Sequence, residues 1–125
     1  MDENEISNVV IGCAIEVHRA LGPGLLESVY QRCLARELEL QRISFREEMP
    51  LSVKYKGLDF ESAYRLDMLV GSKVIVELKA VEQLLPVHEA QVLSYLRLTE
   101  LKLGLLINFN VPALRNGIRR IVNNL

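Results

Sequence analysis

Two neighbouring apolar segments of this chain carry charged residues at positions where a buried strand normally has none. Residues 64–70 contain Asp67, and residues 74–80 contain Glu77 and Lys79. A charge in such a segment is costly unless it is exposed, paired or bound to a metal ion. Because Glu77 and Lys79 are two residues apart, a strand would point both side chains to one face of the sheet. Two carboxylates beside a lysine suit metal-dependent phosphodiester cleavage, in which the carboxylates hold a hard divalent cation and the lysine orients a water molecule.

Size and charge limit the classes of protein to which the chain can belong. Its 125 residues, half of them hydrophobic, predict one domain over residues 1–125 with a substantial core. The net charge of −1 provides no global basic field, so charge alone does not predict binding to nucleic acid.

The sequence predicts a cytoplasmic protein that does not enter a membrane. The first residues are acidic and lack the basic region of a signal peptide, and no apolar run approaches the length of a membrane span. Cys13 and Cys33 each fall on the apolar side of a predicted helix. We expect both to be reduced thiols rather than a disulfide, and two thiols are too few to form a zinc site.

Hydrophobic periodicity predicts three helices and a mixed sheet. The helices are expected at residues 4–21, 25–40 and 86–99, and the strands at 45–49, 51–56, 61–70, 73–81, 102–109 and 117–122, with Pro50 separating the first two strands. This order predicts a mixed sheet flanked by helices, of the α/β or α+β class.

The turn at Gly71-Ser72 decides whether the carboxylates can meet. A two-residue turn would pair Val70 with Lys73 and place Glu77 on the opposite face from Asp67. A shared site therefore requires a three-residue loop, with Val70 opposite Val74, or a β-bulge near Asp67. We predict one of these two arrangements.

Glu27 is the next candidate, because it falls near the middle of the apolar stripe of the second helix, between Leu34 and Leu38. One interpretation is a glutamate at the start of a helix, favoured by the helix dipole. The other is a carboxylate that points across to the sheet and joins Asp67 and Glu77.

Gln91 and Tyr95 are four residues apart and share one face of the third helix. That face also carries Val87, Ser94 and Leu98, and we expect it to pack on the sheet. A buried glutamine needs hydrogen-bonding partners, which would be core groups in a structural role or a carboxylate, a phosphate or a water at the metal in a functional one.

His18 and His88 have no spacing that identifies a set of metal ligands. We favour partly buried, hydrogen-bonded histidines, and contact with a phosphate or with a metal-bound water near the site is the alternative. Tyr30 belongs to the apolar stripe of its helix, so it is expected in the core rather than as a stacking platform.

Several segments in order resemble the PD-(D/E)xK nuclease superfamily, and more closely the small bacterial "GxxExxY" proteins grouped with it. The naming motif stands as Gly24-Leu25-Leu26-Glu27-Ser28-Val29-Tyr30. The similarity extends across nearly the whole chain and includes residues 16–24, 64–67, 74–80, 86–91 and 103–109. One departure from the superfamily pattern is that Leu66, not proline, precedes Asp67.

The resemblance implies a restriction-endonuclease-like fold, with a mixed core sheet of four strands and a helix on each side. It implies that Glu27, Asp67 and Glu77 hold Mg²⁺ or Mn²⁺ together with the carbonyl of Leu78. Lys79 would then position the attacking water. Gln91 and Tyr95 match the Gln-x-x-x-Tyr helix of RecB-type nucleases, which would support the site or touch the nucleic acid.

Three hypotheses follow for the function. The first is a Mg²⁺-dependent nuclease acting on DNA or RNA, and the second is a nuclease-like module that binds nucleic acid or a protein without cutting. The third is a structural role in which the charges form buried salt bridges, such as Glu77 with Lys79 or Asp67 with Arg65. A homodimer is compatible with all three, because a small chain often needs a second copy to grip a duplex.

Overall fold

A five-stranded mixed sheet lies between helices in the computed structural model, which describes residues 1–125. The elements are α1 Glu3–Leu21, α2 Glu27–Leu40, β1 Phe45–Tyr55, β2 Leu58–Val70, β3 Val74–Lys79, α3 Pro86–Thr99, β4 Leu103–Asn108, a 3₁₀ turn Leu114–Gly117 and β5 Ile118–Val122. The strands lie in chain order across the sheet, and only β3 and β4 are parallel. The predicted fold class is confirmed.

The two faces of the sheet are covered by different helices. On one face, α1 and α2 pack residues such as Val10 and Leu34 against Val76. On the other face, α3 packs Val92 and Leu96 against the sheet. Parallel neighbours need a crossover connection, and α3 supplies it between β3 and β4.

The helix ends explain why the predicted boundaries agree with the structure to within two residues. Asp2 caps α1, because its Oδ1 accepts the Glu5 N–H at 2.8 Å while the Glu5 carboxylate accepts the Asp2 N–H at 3.0 Å. Gly22, with φ of 69°, ends the same helix. Pro86 stands in the first turn of α3, where its missing N–H costs no helical hydrogen bond.

The predicted break at Pro50 is wrong, because β1 runs without interruption from Phe45 to Tyr55. Pro50 lies opposite Arg65 in this strand. Since β1 is the edge strand of the sheet, it has a neighbour on one side only, and an edge strand can accommodate a residue without an N–H.

Neither cysteine forms a disulfide, in agreement with the prediction. Cys13 is buried and Cys33 is half-buried, and both are free thiols. None of the helices combines the length and the apolar character that crossing a bilayer would require.

Candidate active site

The candidate site lies where β2 and β3 separate. Their ladder pairs Val70 with Val74 and ends with Met68 opposite Val76, so the loop between the strands has three residues and the predicted register is confirmed. Beyond the last pair, side-chain carboxylates accept the backbone N–H groups that carbonyls would accept in a continued ladder. The Asp67 N–H donates to Glu77 Oε1 at 2.9 Å, and the Leu78 N–H donates to Asp67 Oδ2 at 2.8 Å.

An irregularity in both strands of the β1–β2 hairpin explains the position of Asp67. Met68 packs on the α1–α2 side of the sheet, whereas Leu66 and Leu69 both pack on the α3 side. Regular alternation would place Leu66 with Met68 instead. The switch occurs at Asp67, opposite which Glu48 has a φ of 51°, an uncommon value for a residue with a side chain. The distortion leaves Asp67 half-buried at the gap between the strands.

The carboxylates of Asp67 and Glu77 are short of compensating positive charge. Glu77 is 5% exposed, and its burial, followed by the charge of Asp67, raises its pKa to about 8. Burial also raises the pKa of Asp67, against the hydrogen bond from Leu78 and with added repulsion from Glu48 and Glu27. The charge of Lys79 lowers the pKa of Glu77 without reversing the shift.

The structure argues against the buried salt bridges of the third hypothesis. The single ion pair within 4.0 Å in the chain joins Arg19 to Glu16, and both side chains are well exposed. Neither Lys79 nor Arg65 therefore neutralises the two carboxylates by direct contact. A pair of carboxylates in this situation favours either a proton or a bound cation.

The donor atoms at the gap suit a hard divalent cation. Asp67 and Glu77 supply carboxylate oxygens, which Mg²⁺ and Mn²⁺ prefer. The Lys79 carbonyl accepts the Phe109 N–H at 2.9 Å on the β4 side, so strand alternation turns the Leu78 carbonyl towards β2, the side on which its N–H also lies. That carbonyl therefore faces the gap. Across the chain, no three His, Cys, Asp or Glu side chains are already arranged as a complete ligand set.

Glu27 occupies a different position from the one its helical wheel suggested. It is the first residue of α2 and is exposed, not central to the buried stripe, because the helix begins there and its N-terminal turn projects beyond the packed face. Its Oε2 accepts the Ala80 N–H at 3.2 Å, just after the end of β3. Glu27 therefore combines the two interpretations, since it begins a helix and also reaches the sheet beside the carboxylate pair.

Lys79 and Asn108 end the two parallel strands side by side. Lys79 is half-buried and lies opposite Asn108 in the register of β3 and β4. The Asn108 amide holds the chain after Lys79, because it accepts the Val81 N–H at 3.0 Å and donates to the Val81 carbonyl at 2.9 Å. Sequence reasoning missed Asn108, although a polar residue ending the apolar run of residues 103–107 was a signal.

Gln91 and Tyr95 approach the carboxylates from α3. Tyr95 is buried, and its burial, followed by the charge of Glu77, raises its pKa to about 12, while a contact with the Gln91 side chain opposes the shift. Gln91 is half-buried. The expected packing face of α3 was wrong in part, because Val87 and Leu98 are exposed and the buried face is centred on Val92, Tyr95 and Leu96 instead. Ser94 is also exposed.

Both histidines make structural hydrogen bonds, as the favoured interpretation expected. His18 is buried, and its Nε2 lies 2.7 Å from the Val111 carbonyl. His88 is half-buried, and its Nδ1 accepts the Leu85 N–H at 2.9 Å at the start of α3.

Tyr30 anchors the loop before Glu27 to the core. Its ring is fully buried and stacks on Phe109 with the ring centroids 4.5 Å apart, so its placement in the core is confirmed. Its hydroxyl donates to the Gly22 carbonyl at 2.6 Å and accepts the Leu25 N–H at 3.1 Å. The tyrosine thus fixes the loop that leads into Glu27.

The comparisons with known proteins place the chain in a family. The sequence model of the PD-(D/E)XK nuclease superfamily matches residues 4–121. A search of the curated proteins and a search of the solved structures each gave no significant match. Because the match covers nearly the whole chain, the protein belongs to the PD-(D/E)XK nuclease superfamily. The finer resemblance to the GxxExxY group stays a prediction.

Proposed function

We propose that this member of the PD-(D/E)XK nuclease superfamily is a metal-dependent nuclease that hydrolyses phosphodiester bonds of DNA or RNA. The observation that carries the proposal is the pair formed by Asp67 and Glu77 at the gap between β2 and β3. Their carboxylates are drawn out of water, linked through backbone N–H groups and left without a cationic partner within 4.0 Å. A bound cation would offset the negative charge of this pair.

The proposed ligands are Asp67, Glu77, the Leu78 carbonyl and Glu27, and the proposed ion is Mg²⁺ or Mn²⁺. When bound, such an ion lowers the pKa of water and offsets negative charge on the phosphate. Asp67 and Glu77 would be the principal ligands, since they already face each other. Glu27 reaches the end of β3 from the other side and would be the last to join.

Lys79 is the proposed catalytic cation. It lies two residues after Glu77 on the same strand, so both side chains project from the same face of the sheet. Its ammonium group can hold a water molecule beside the scissile phosphate and stabilise the negative charge that develops during attack. The hydrogen bonds from Asn108 to Val81 keep the strand end around Lys79 in place.

Four further residues would support the site. Gln91 and Tyr95 would orient the carboxylates or touch the substrate from α3, because the charges of Glu77 and Asp67 act on the Tyr95 hydroxyl. His18 and His88 would support the site more indirectly, through the Val111 carbonyl and the start of α3.

A cleavage assay tests the proposal. Labelled single-stranded and duplex DNA and RNA are incubated with the protein in Mg²⁺, in Mn²⁺ and in a chelator. We expect metal-dependent cleavage that Asp67→Ala and Lys79→Ala abolish, with the thermal unfolding of both variants still cooperative. Lys73→Ala is the matched control, since the Lys73 side chain is exposed and its ammonium group donates a hydrogen bond only to the Met1 carbonyl. Cleavage that persists in both site variants would contradict the assignment.

A second candidate is a nuclease-like module that binds nucleic acid or a protein partner without cutting it. The incomplete ligand set favours this candidate, because no three acidic or histidine side chains are in ligating positions. Binding of nucleic acid without turnover in any metal would support it.

The cellular location and the oligomeric state of the protein are proposed on separate grounds. We propose a cytoplasmic location, because the free thiols of Cys13 and Cys33 suit a reducing compartment. We also propose a homodimer on the ground of small size, and sedimentation equilibrium tests it directly.

A further inference from the structure

The hairpin of β1 and β2 extends well beyond the rest of the sheet. β3 pairs only with residues 68–70 of β2, so the distal part of the hairpin has no third strand. It ends in a two-residue turn at Lys56 and Gly57, both of which have positive φ angles of 44° and 86°. We call residues 49–66 the ribbon. A two-stranded ribbon is at best marginally stable in water, so exposed apolar residues on it point to a ligand.

One face of the ribbon is apolar along its whole length. The opposed residues on this face are Leu51 with Tyr64, Val53 with Phe60 and Tyr55 with Leu58. We call this face the aromatic strip. Tyr55, Phe60 and Tyr64 are 59%, 51% and 47% exposed. The other four aromatic residues of the chain are buried or half-buried, so every exposed phenylalanine and tyrosine lies on the strip.

The aromatic strip leads directly into the candidate active site. The ring of Tyr64 lies 5.7 Å from the ring of Tyr95, and Leu51 packs in the same cluster as Tyr95. The charges of Glu77 and Asp67 act on the hydroxyl of Tyr95. From Tyr64 the strip runs outwards along the ribbon. Successive side chains of the strip on β1 are about 7 Å apart, whereas on β2 the register shifts and Tyr64 and Phe60 are four residues apart.

Charge decides which form of nucleic acid this surface suits. The residues of the strip include no lysine or arginine, and the ammonium group of Lys56, at the tip of the ribbon, lies 5.5 Å from the centre of the Tyr55 ring. On the opposite face of the ribbon, Lys54 lies across from Asp59 in the strand register. Duplex binding depends chiefly on many lysine and arginine contacts to phosphates, and Lys56 alone at the tip of the ribbon does not supply them. Flat apolar side chains instead stack on the bases of an unpaired strand.

We propose that the aromatic strip binds a single, unpaired nucleic-acid strand by stacking bases on Tyr64, Phe60 and Tyr55, and so delivers it to the carboxylates. This inference rests on the proposed nuclease function and narrows its substrate to single strands. A second copy of the chain fits the strip less well. The four exposed side chains of the strip offer about 100 Å² each, or about 400 Å² per copy, whereas a specific interface buries about 800 Å² per partner. These side chains are Tyr55, Leu58, Phe60 and Tyr64.

Phe60 offers the sharpest test, because two substitutions separate stacking from general hydrophobic contact. Phe60→Leu keeps an apolar side chain but removes the flat ring, whereas Phe60→Trp keeps a ring that can stack. Binding is measured by fluorescence anisotropy with labelled oligothymidylate, oligouridylate and a DNA duplex of the same length. All proteins carry Asp67→Ala, and a chelator is present, so cleavage does not interfere.

We expect Phe60→Leu to weaken single-strand binding by about 5- to 100-fold, and Phe60→Trp to bind within about threefold of the parent. Leu40→Ala is the control, because Leu40 is 59% exposed at the end of α2, away from the ribbon, and should bind as the parent does. Single-strand affinity should also fall only gently with salt, unlike binding that depends on many phosphate contacts.

Three results would overturn the inference. They are equal or tighter binding of the duplex, unchanged single-strand binding by Phe60→Leu, and a dimer in sedimentation that Phe60→Ala converts to monomer. Failure of the nuclease proposal would be seen separately. In that case the parent chain would cleave nothing in any metal, while single-strand binding could still depend on Phe60.

Discussion

Replacing Glu77 by glutamine is expected to stabilise the metal-free protein at neutral and mildly basic pH. Glutamine has the shape of glutamate, and its amide oxygen can still accept the Asp67 N–H that Glu77 Oε1 accepts at 2.9 Å. The substitution removes a buried negative charge that sits beside a second carboxylate. The wild-type protein must either keep a proton on this pair or tolerate the charge.

The magnitude follows from the pKa shift of Glu77, from 4.5 to about 8. One pKa unit corresponds to about 1.4 kcal/mol, so the whole shift sets an upper limit of about 5 kcal/mol. Penetration of water and small rearrangements reduce such effects. We therefore expect Glu77→Gln to raise the free energy of unfolding by about 2 to 5 kcal/mol where Glu77 would otherwise be charged. Because the folded state holds the Glu77 proton more tightly than the unfolded state, wild type has the full stability from this proton below pH 4.5 and loses it as the pH rises towards 8. The advantage of Glu77→Gln grows over the same range. Asp67, whose pKa is also raised, acts in the same direction.

Urea unfolding in a chelator from about pH 5 to about pH 8 measures this effect. The free energy of unfolding of wild type should fall across this range, and that of Glu77→Gln should fall less, so the two curves separate at high pH. Glu39→Gln is the matched control, because Glu39 is an exposed glutamate on α2 and its variant should follow wild type. Parallel curves for wild type and Glu77→Gln would contradict this prediction, because they would show that the charge of Glu77 does not destabilise the folded state.

Two further predictions concern packing around the site. Tyr30→Phe keeps the ring but leaves the Gly22 carbonyl and the Leu25 N–H without their partner, so we expect a loss of about 1 to 3 kcal/mol in urea unfolding. A loss close to zero would show that water replaces the hydroxyl. Gly104→Ala would place a methyl group 2.6 Å from Val92 Cγ1, and we expect about 1 to 3 kcal/mol of destabilisation by overpacking. A melting temperature of Gly104→Ala equal to that of wild type would contradict the expected overpacking.

The sequence predicted the elements well where one physical signal dominated. The end of α1 and the start of α3 coincide with Gly22 and Pro86, each of which acts on the backbone within one turn. The requirement that Asp67 and Glu77 share a face predicted either a three-residue loop or a β-bulge near Asp67, because a slip of one residue moves a side chain to the other side of the sheet. The structure has the three-residue loop.

Other features depended on tertiary context that no local pattern carries. Whether Pro50 breaks a strand depends on the edge position of β1, which only the assembled sheet decides. The helical wheel placed Glu27 in the buried stripe, but α2 begins at that residue and leaves it exposed. The contact between Tyr64 and Tyr95 joins distant parts of the chain, so the aromatic strip could not be recognised from sequence spacing alone.

The first measurement to make is a calorimetric titration of Mg²⁺ and Mn²⁺ into wild type and into Asp67→Ala at about pH 8, where the carboxylate pair holds fewer protons than at neutral pH. We predict saturable binding of one or both ions to wild type and none to Asp67→Ala. Equal binding by the two proteins would place the metal elsewhere. It would contradict the claim that the carboxylates at the gap between β2 and β3 form the active site.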